Sequence, residues 1–232
     1  MKFAYLTWSL ILLGIWALIY AARPALRRRM WLAGLCTAPL GLTEPLFVPD
    51  YWQPPTLFDL AARTGFDLES LLFAFAAGGI ASTLYPALVP VQEKGVEPCE
   101  RRHPRHRWHR LMLSVPFVAF AILYLATDLN PIYTASLAML LGGLATGLCR
   151  PDLWRPMCIA ALLFTALYFL YFASLAAVYP DYVSRVWRLE RLSGLLIGGV
   201  PLEELLFAAT LGLMWGSLYE HLAWRRYARH RS

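Results

Sequence analysis

Four carboxylates of this chain stand where carboxylates are costly. Glu203 and Glu204 lie in "GVPLEELLF" (199–207), at the head of an apolar run that reaches Leu218 with no further charge. Glu69 lies in "FDLESLLF" (66–73), and Glu44 in a third apolar stretch. One charge inside a bilayer costs roughly 2.5–3.5 kcal/mol on insertion scales. A desolvated carboxylic acid holds its proton more tightly, and close neighbours titrate as a coupled set. Such an acid protonates a weak base near neutral pH while an ionised neighbour accepts a proton. Adjacent helical positions point about 100° apart, so Glu203 and Glu204 are expected to take different roles. A first helical turn explains some of this, because Pro201 is a good helix starter and acids suit the positive end of the helix dipole. It does not explain acids distributed over three spans.

The elements that must hold these acids are membrane helices. The 232 residues are 59% hydrophobic and 16% charged, against about 25% charge in soluble domains. The apolar residues come in blocks, which excludes a soluble globular fold and predicts an all-α polytopic bundle. Seven spans are expected, at about 4–22, 30–48, 66–90, 111–127, 131–149, 156–178 and 199–222. The net charge of +6 does not point to nucleic acid, because the basic residues cluster between spans. With the amino terminus outside, the inner side holds 16 of the Lys and Arg residues and the outer side 5. That asymmetry predicts amino terminus out and carboxyl terminus cytoplasmic. The inner set includes the tail Arg225 to Arg231. The outer half carries Glu44, Asp50, Glu69, Glu203 and Glu204 among its acids.

Cys36, Cys99, Cys149 and Cys158 form no CxxC pair and read as small apolar side chains. "CERRHPRHRWHR" (99–110) spaces His103, His106 and His109 regularly. The expected role of that stretch is a basic inner loop near anionic lipid rather than a metal site.

Two segments repeat. "FDLESLLFAFAAGGIASTLYPAL" (66–88) aligns with "VPLEELLFAATLGLMWGSLYEHL" (200–222) at an offset of 134 residues, with Glu69 on Glu203, Phe73 on Phe207, Gly78 on Gly212 and Tyr85 on Tyr219. Upstream, "VPDYW" (48–52) is echoed by "YPDYV" (179–183). Four spans separate the copies, so both cross in the same direction, and parallel repeats place sites at their shared interface. The expected organisation is a first three-helix repeat over 1–92, a basic inner loop and connecting span over 93–130, and a second three-helix repeat over 131–232. Aromatic faces on or near the copies, at Trp52, Phe73, Phe207 and Trp215, are suited to stabilising a cation.

"VPDYW", the Pro-x-Glu-Glu core of "GVPLEELLF" and the weaker copy "FDLESLLF" together resemble the lycopene cyclase domain family, small membrane cyclases that occur as heterodimers or fused tandem domains. In the first copy Asp67 stands where Pro is expected and Ser70 replaces the second Glu. The resemblance implies a redox-neutral isomerisation of a membrane-dissolved carotenoid: protonation of a terminal double bond, closure of the carbocation onto a neighbouring double bond, and deprotonation. It implies Glu203, Glu204 and Glu69 as the catalytic set, with Glu44, Asp50, Trp52, Phe73, Phe207 and Trp215 around the substrate, in a multi-pass protein of a bacterial inner membrane. No G-x-G-x-x-G is present, so no nucleotide cofactor is expected; no metal is expected either. A homo-oligomer is compatible with this reading.

Three other functions compete. A Glu-Glu membrane protease expects Arg where EExxxR ends, and Ala208 stands there. A prenyltransferase needs Asp-rich metal motifs, whereas Asp128 and Asp152 are isolated. A non-catalytic carotenoid- or lipid-binding scaffold stays open as the alternative.

Overall fold

The computed structural model describes residues 1–229; Arg231 of the basic tail lies outside the described residues. Helix α1 (Ala4–Ala22) stops at Arg23, whose successor Pro24 disfavours a helical residue before it. One 3-10 turn (Pro24–Leu26) leads into α2 (Arg27–Thr37). Beyond it the chain continues as a 3-10 segment (Ala38–Leu46) that contains Pro39 and Pro45, so an α-helix cannot persist. Helix α3 (Leu68–Ala81) begins at Asp67, whose carboxylate caps it by accepting from the Ser70 amide at 2.6 Å. It gives way at Ser82–Thr83 to the short α4 (Leu84–Leu88). The hydroxyls of Ser82 and Thr83 donate back to the Gly79 carbonyl at 3.0 and 2.6 Å, in competition with the helical ladder.

Strand β1 (Val91–Gly95) and the basic loop follow, then α5 (His109–Ala126), α6 (Pro131–Cys149) and α7 (Trp154–Val178). Between α6 and α7 the Arg-Pro-x-Leu corner recurs: Arg150 adopts φ −129°, ψ 75°, and Arg23 φ −126°, ψ 73°. A hairpin of β2 (Leu196–Ile197) and β3 (Val200–Pro201) turns through Gly198 and Gly199, both at positive φ (59° and 83°), the geometry that a two-residue hairpin loop requires. It delivers the chain into α8 (Leu202–Trp215), α9 (Leu218–Ala223) and β4 (Arg225–Arg229).

This is a helical membrane protein. Among the described residues, four helical stretches are long and apolar enough to cross a bilayer: Ala4–Ala22, Pro104–Ala126, Pro131–Cys149 and Pro151–Val178. A fifth candidate is the pair Leu57–Thr64 and Leu68–Ala81, bent by 96°. The second, third and seventh predicted spans are therefore not single straight helices. Each is assembled from shorter pieces joined where Pro, Ser/Thr or Gly interrupts the ladder. Helices α1 and α2 pack on α3, and α6 and α7 pack on α8, while α5 lies against α6 with no fully buried residue of its own.

Two pairings join the halves. At one end β1 and β4 run antiparallel with Glu93 opposite Tyr227. At the other, Trp52 and Trp187 form an isolated bridge, in which the Gln53 amide donates to the Val186 carbonyl at 2.8 Å and the Arg188 amide to the Tyr51 carbonyl at 3.0 Å. The β1–β4 end gathers basic residues. Buried Arg29 pairs with Glu220 and, at 2.9 Å, with Glu93, and donates to the Tyr227 hydroxyl at 2.8 Å. Burial pushes the Tyr227 phenol up to about 12, so it stays protonated beside the guanidinium. Arg226 pairs with Glu100.

Candidate active site

A cavity of about 400 Å³ opens between the 3-10 segment and α3 on one side and α5, α6 and α7 on the other. Its walls are almost wholly apolar, and half-exposed Leu40 and exposed Phe117 are among the residues that line it. Two carboxylates line it, Glu44 and Glu204.

Glu204 occupies the first turn of α8, placed there by the Gly198–Gly199 hairpin and the helix-starting Pro201. It is buried and accepts three hydrogen bonds. Tyr51 and the Trp187 indole donate to Oε1, the latter at 3.0 Å, and Tyr168 donates to Oε2 at 2.6 Å. Three separate elements supply these donors. Tyr51 comes from the first Pro-Asp-Tyr loop, Trp187 from the chain after the second, and Tyr168 from the middle of α7. Three donors satisfy a carboxylate and fix its orientation.

Glu44 sits on the 3-10 segment, three residues after Gly41. The Gly41 backbone lies so close to α3 that a Cβ there would stand 2.7 Å from backbone atoms of Ser70 and Leu71. That close approach brings Glu44 to the cavity wall. Its Oε1 is buried with no hydrogen-bond partner.

Position 204 in the second copy corresponds to Ser70 in the first. Ser70 also lines the cavity, where its hydroxyl meets the Tyr5 hydroxyl at 2.8 Å and Asp67 Oδ2 at 3.1 Å. The first copy thus carries a neutral hydroxyl relay at the place where the second carries an acid.

The adjacent pair Glu203–Glu204 is split by its helical turn. Glu203 turns away from the cavity, and its Oε1 accepts from the Ser193 amide at 2.8 Å and from Tyr133 at 2.5 Å. Glu69 behaves alike: it lies off the cavity, and its Oε1 accepts from the Leu57 amide at 2.7 Å. In each copy the first carboxylate ties down the loop that precedes its helix. Asp50 lies on the surface, paired with Arg191, and its carbonyl accepts from Asn130 at 2.9 Å.

The structure therefore brings Glu44, Glu204, Trp52, Phe73, Phe207 and Trp215 to one cavity, and leaves Glu69, Glu203 and Asp50 outside it. Trp52 packs on Trp187 at 5.1 Å between ring centroids, and Phe207 on Tyr168 at 6.3 Å. Sequence reasoning missed Tyr168 and Tyr171, which also line the cavity. The signal was present in "LYFLYF" (167–172), where two tyrosines three apart share one face of an otherwise apolar helix.

Residues 130–222 match the family model described as lycopene cyclase. That segment holds Glu203, Glu204, Tyr133, Tyr168 and Trp187, while Tyr51 and Glu44 precede it. Neither the curated proteins nor the solved structures contain a match to this chain.

Proposed function

We propose that this chain, which carries a lycopene cyclase domain over residues 130–222, closes the acyclic end of a linear carotenoid by acid–base chemistry alone. The single observation that supports this most is the pairing of two unlike carboxylates in one apolar cavity. Glu204 is saturated with donors, and Glu44 has a buried oxygen with none.

In this reading Glu44 is the acid. Its Oε1 is buried and unpaired at the wall of the apolar cavity, and its proton is delivered to the terminal double bond of a polyene end. The resulting tertiary carbocation is attacked by the neighbouring double bond, and a ring closes. Glu204, oriented by its three donors, stabilises the cation and, in its ionised form, then removes a proton. Aromatic faces of Tyr168, Tyr171, Phe207 and Trp215 add cation-stabilising walls. The proton gained equals the proton lost, so the product is an isomer, and return of the proton from Glu204 to Glu44 resets the site. Dry walls keep water from trapping the cation. No step calls on a redox cofactor.

Glu203 and Glu69 act as positioning residues that hold the loops before α8 and α3. The two halves, 1–92 and 131–232, are read as parallel repeats about a pseudo-twofold line that runs from the Trp52–Trp187 bridge to the Glu93–Tyr227 pair. The Arg29–Arg150 end is read as cytoplasmic. A substrate in the bilayer enters past Leu40 and Phe117 without crossing water.

The test is expression in cells that accumulate lycopene, followed by pigment extraction. Cyclised pigment is expected with the native chain and is lost with Glu44→Gln or Glu204→Gln. Unchanged lycopene with the native, membrane-inserted chain refutes the activity. Full cyclisation by either variant refutes the assignment of roles.

A further inference from the structure

At the basic end of the bundle lies a cluster of side chains that the cyclisation chemistry does not use. Cys149 ends α6 and is buried; its Sγ lies 3.5 Å from His109 Nδ1 and 3.5 Å from His106 Nδ1. His221 on α9 is fully buried, and its Nε2 has no hydrogen-bond partner. Ligand atoms of His109, Cys149 and His221 all lie within 4.8 Å of one another. The rings of His109 and His221 meet edge to face at 4.5 Å between centroids.

We propose that His109, Cys149 and His221 form a zinc site, with water completing the tetrahedron. Zn–S of about 2.3 Å and Zn–N of about 2.0–2.1 Å place tetrahedral sulfur and nitrogen ligands roughly 3.5 Å apart, which is the separation of Cys149 Sγ and His109 Nδ1. Hydrogen bonding alone leaves the cluster unsatisfied. The Cys149 sulfur can accept from His106 and donate to His109, but no hydrogen bond reaches the buried His221 Nε2. A cation with a Cys and two His ligands occupies all three.

The surroundings fit a metal-bound state. His221 Nδ1 meets the Thr146 hydroxyl at 3.2 Å, which fixes the ring and leaves Nε2 for the ion. His106 Nε2 accepts from Arg105 at 3.3 Å, so its Nδ1 carries hydrogen and donates to the thiolate rather than ligating. Trp224 stacks on His109 at 4.2 Å and covers the site. The neighbouring Arg150 is neutralised by Asp152, in two hydrogen bonds of 2.8 and 2.6 Å, so it does not repel a cation unopposed. Binding releases the thiol proton, and no electron is transferred.

The first half has no equivalent. Ala22 ends α1 where Cys149 ends α6, and Ala87 stands in the copy of the position of His221. The cluster is therefore no general requirement of the helix packing. It would staple the start of α5, with the basic loop before it, to α6 and α9.

The experiment uses the full, untagged chain in detergent. Metal analysis is expected to find stoichiometric zinc, reduced to background by Cys149→Ser and by His221→Gln and unaffected by His103→Gln, whose ring lies outside the cluster. Where a variant fails to fold, the chelator-stripped native chain is titrated with cobalt. A sulfur-to-cobalt charge-transfer band is the expected result, with Cys149 in denaturant-loosened protein reacting with a maleimide more slowly when cobalt is present than when it is absent, and exposed Cys36, Cys99 and Cys158 reacting alike in both. No zinc above background after zinc dialysis, equal zinc in Cys149→Ser, or cobalt without the thiolate band each overturn the site.

Discussion

Replacing Glu203 and Glu204 one at a time by glutamine should produce opposite signatures, although the residues are adjacent and chemically identical. In Glu204→Gln the side-chain oxygen still accepts from Tyr51 and Trp187, and the Tyr168 hydroxyl rotates to accept from the new amide. Stability should therefore change little, while the proton acceptor is lost. General acid–base catalysis contributes about 10²- to 10⁴-fold, or roughly 3–5 kcal/mol of barrier, and the cyclisation rate should fall by that factor. Glu203→Gln instead weakens two bonds, from the Ser193 amide and Tyr133, off the cavity. Each drops from the charged class, about 1.5–3 kcal/mol, to the neutral class, about 0.5–1.5 kcal/mol. A stability loss of about 2–3 kcal/mol is expected, with a rate loss of at most about 10²-fold, the scale of a displaced rather than a deleted group, and a residual rate above that of Glu204→Gln. The assay is initial rate of lycopene consumption in proteoliposomes, beside thermal unfolding of the same samples. A Glu203→Gln rate as low as that of Glu204→Gln, at native stability, refutes the division of roles and makes the carboxylates one catalytic unit.

Other outcomes follow from the same geometry. Gly41→Ala should lower Tm and cyclisation together, because its Cβ meets backbone of α3 and displaces Glu44, whereas Gly14→Ala, with nothing within 4 Å, should do neither; overpacking of this kind costs about 1–3 kcal/mol. Arg29→Met should destabilise by about 3–5 kcal/mol by stranding buried Glu220, and adding Glu220→Leu should recover much of that, as read by thermal unfolding. A reporter fused after Ser232 should be active in the cytoplasm, because the inner clusters gather 16 of the basic residues; activity only outside reverses the orientation. Purified chain in detergent should cyclise lycopene equally with and without reduced flavin or nicotinamide, and an absolute requirement for either rules out acid–base chemistry alone.

The sequence by itself determined the class of molecule and singled out one motif. Hydropathy blocks and the sparse, clustered charge specify membrane helices, because the bilayer acts on each segment separately and leaves its mark in local composition. The self-similarity of 66–88 and 200–222 pointed to Glu203 and Glu204 without any coordinates. Only the tertiary structure decided which of these acids faces the cavity. A helix turns about 100° per residue, so the difference between Glu203, tied to Ser193, and Glu204, tied to Tyr51, Tyr168 and Trp187, lies in a rotation that no local pattern encodes. The donors to Glu204 are equally illegible in sequence, since they stand 153, 36 and 17 residues away from it. Glu44 belongs to a segment that reads as a straight span and folds as a 3-10 stretch, because Pro39 and Pro45 forbid the helix and the missing side chain of Gly41 lets backbone meet backbone. The meeting of Cys149 with His109 and His221 is likewise a product of packing, which joins three helix ends that the chain keeps 40 and 72 residues apart.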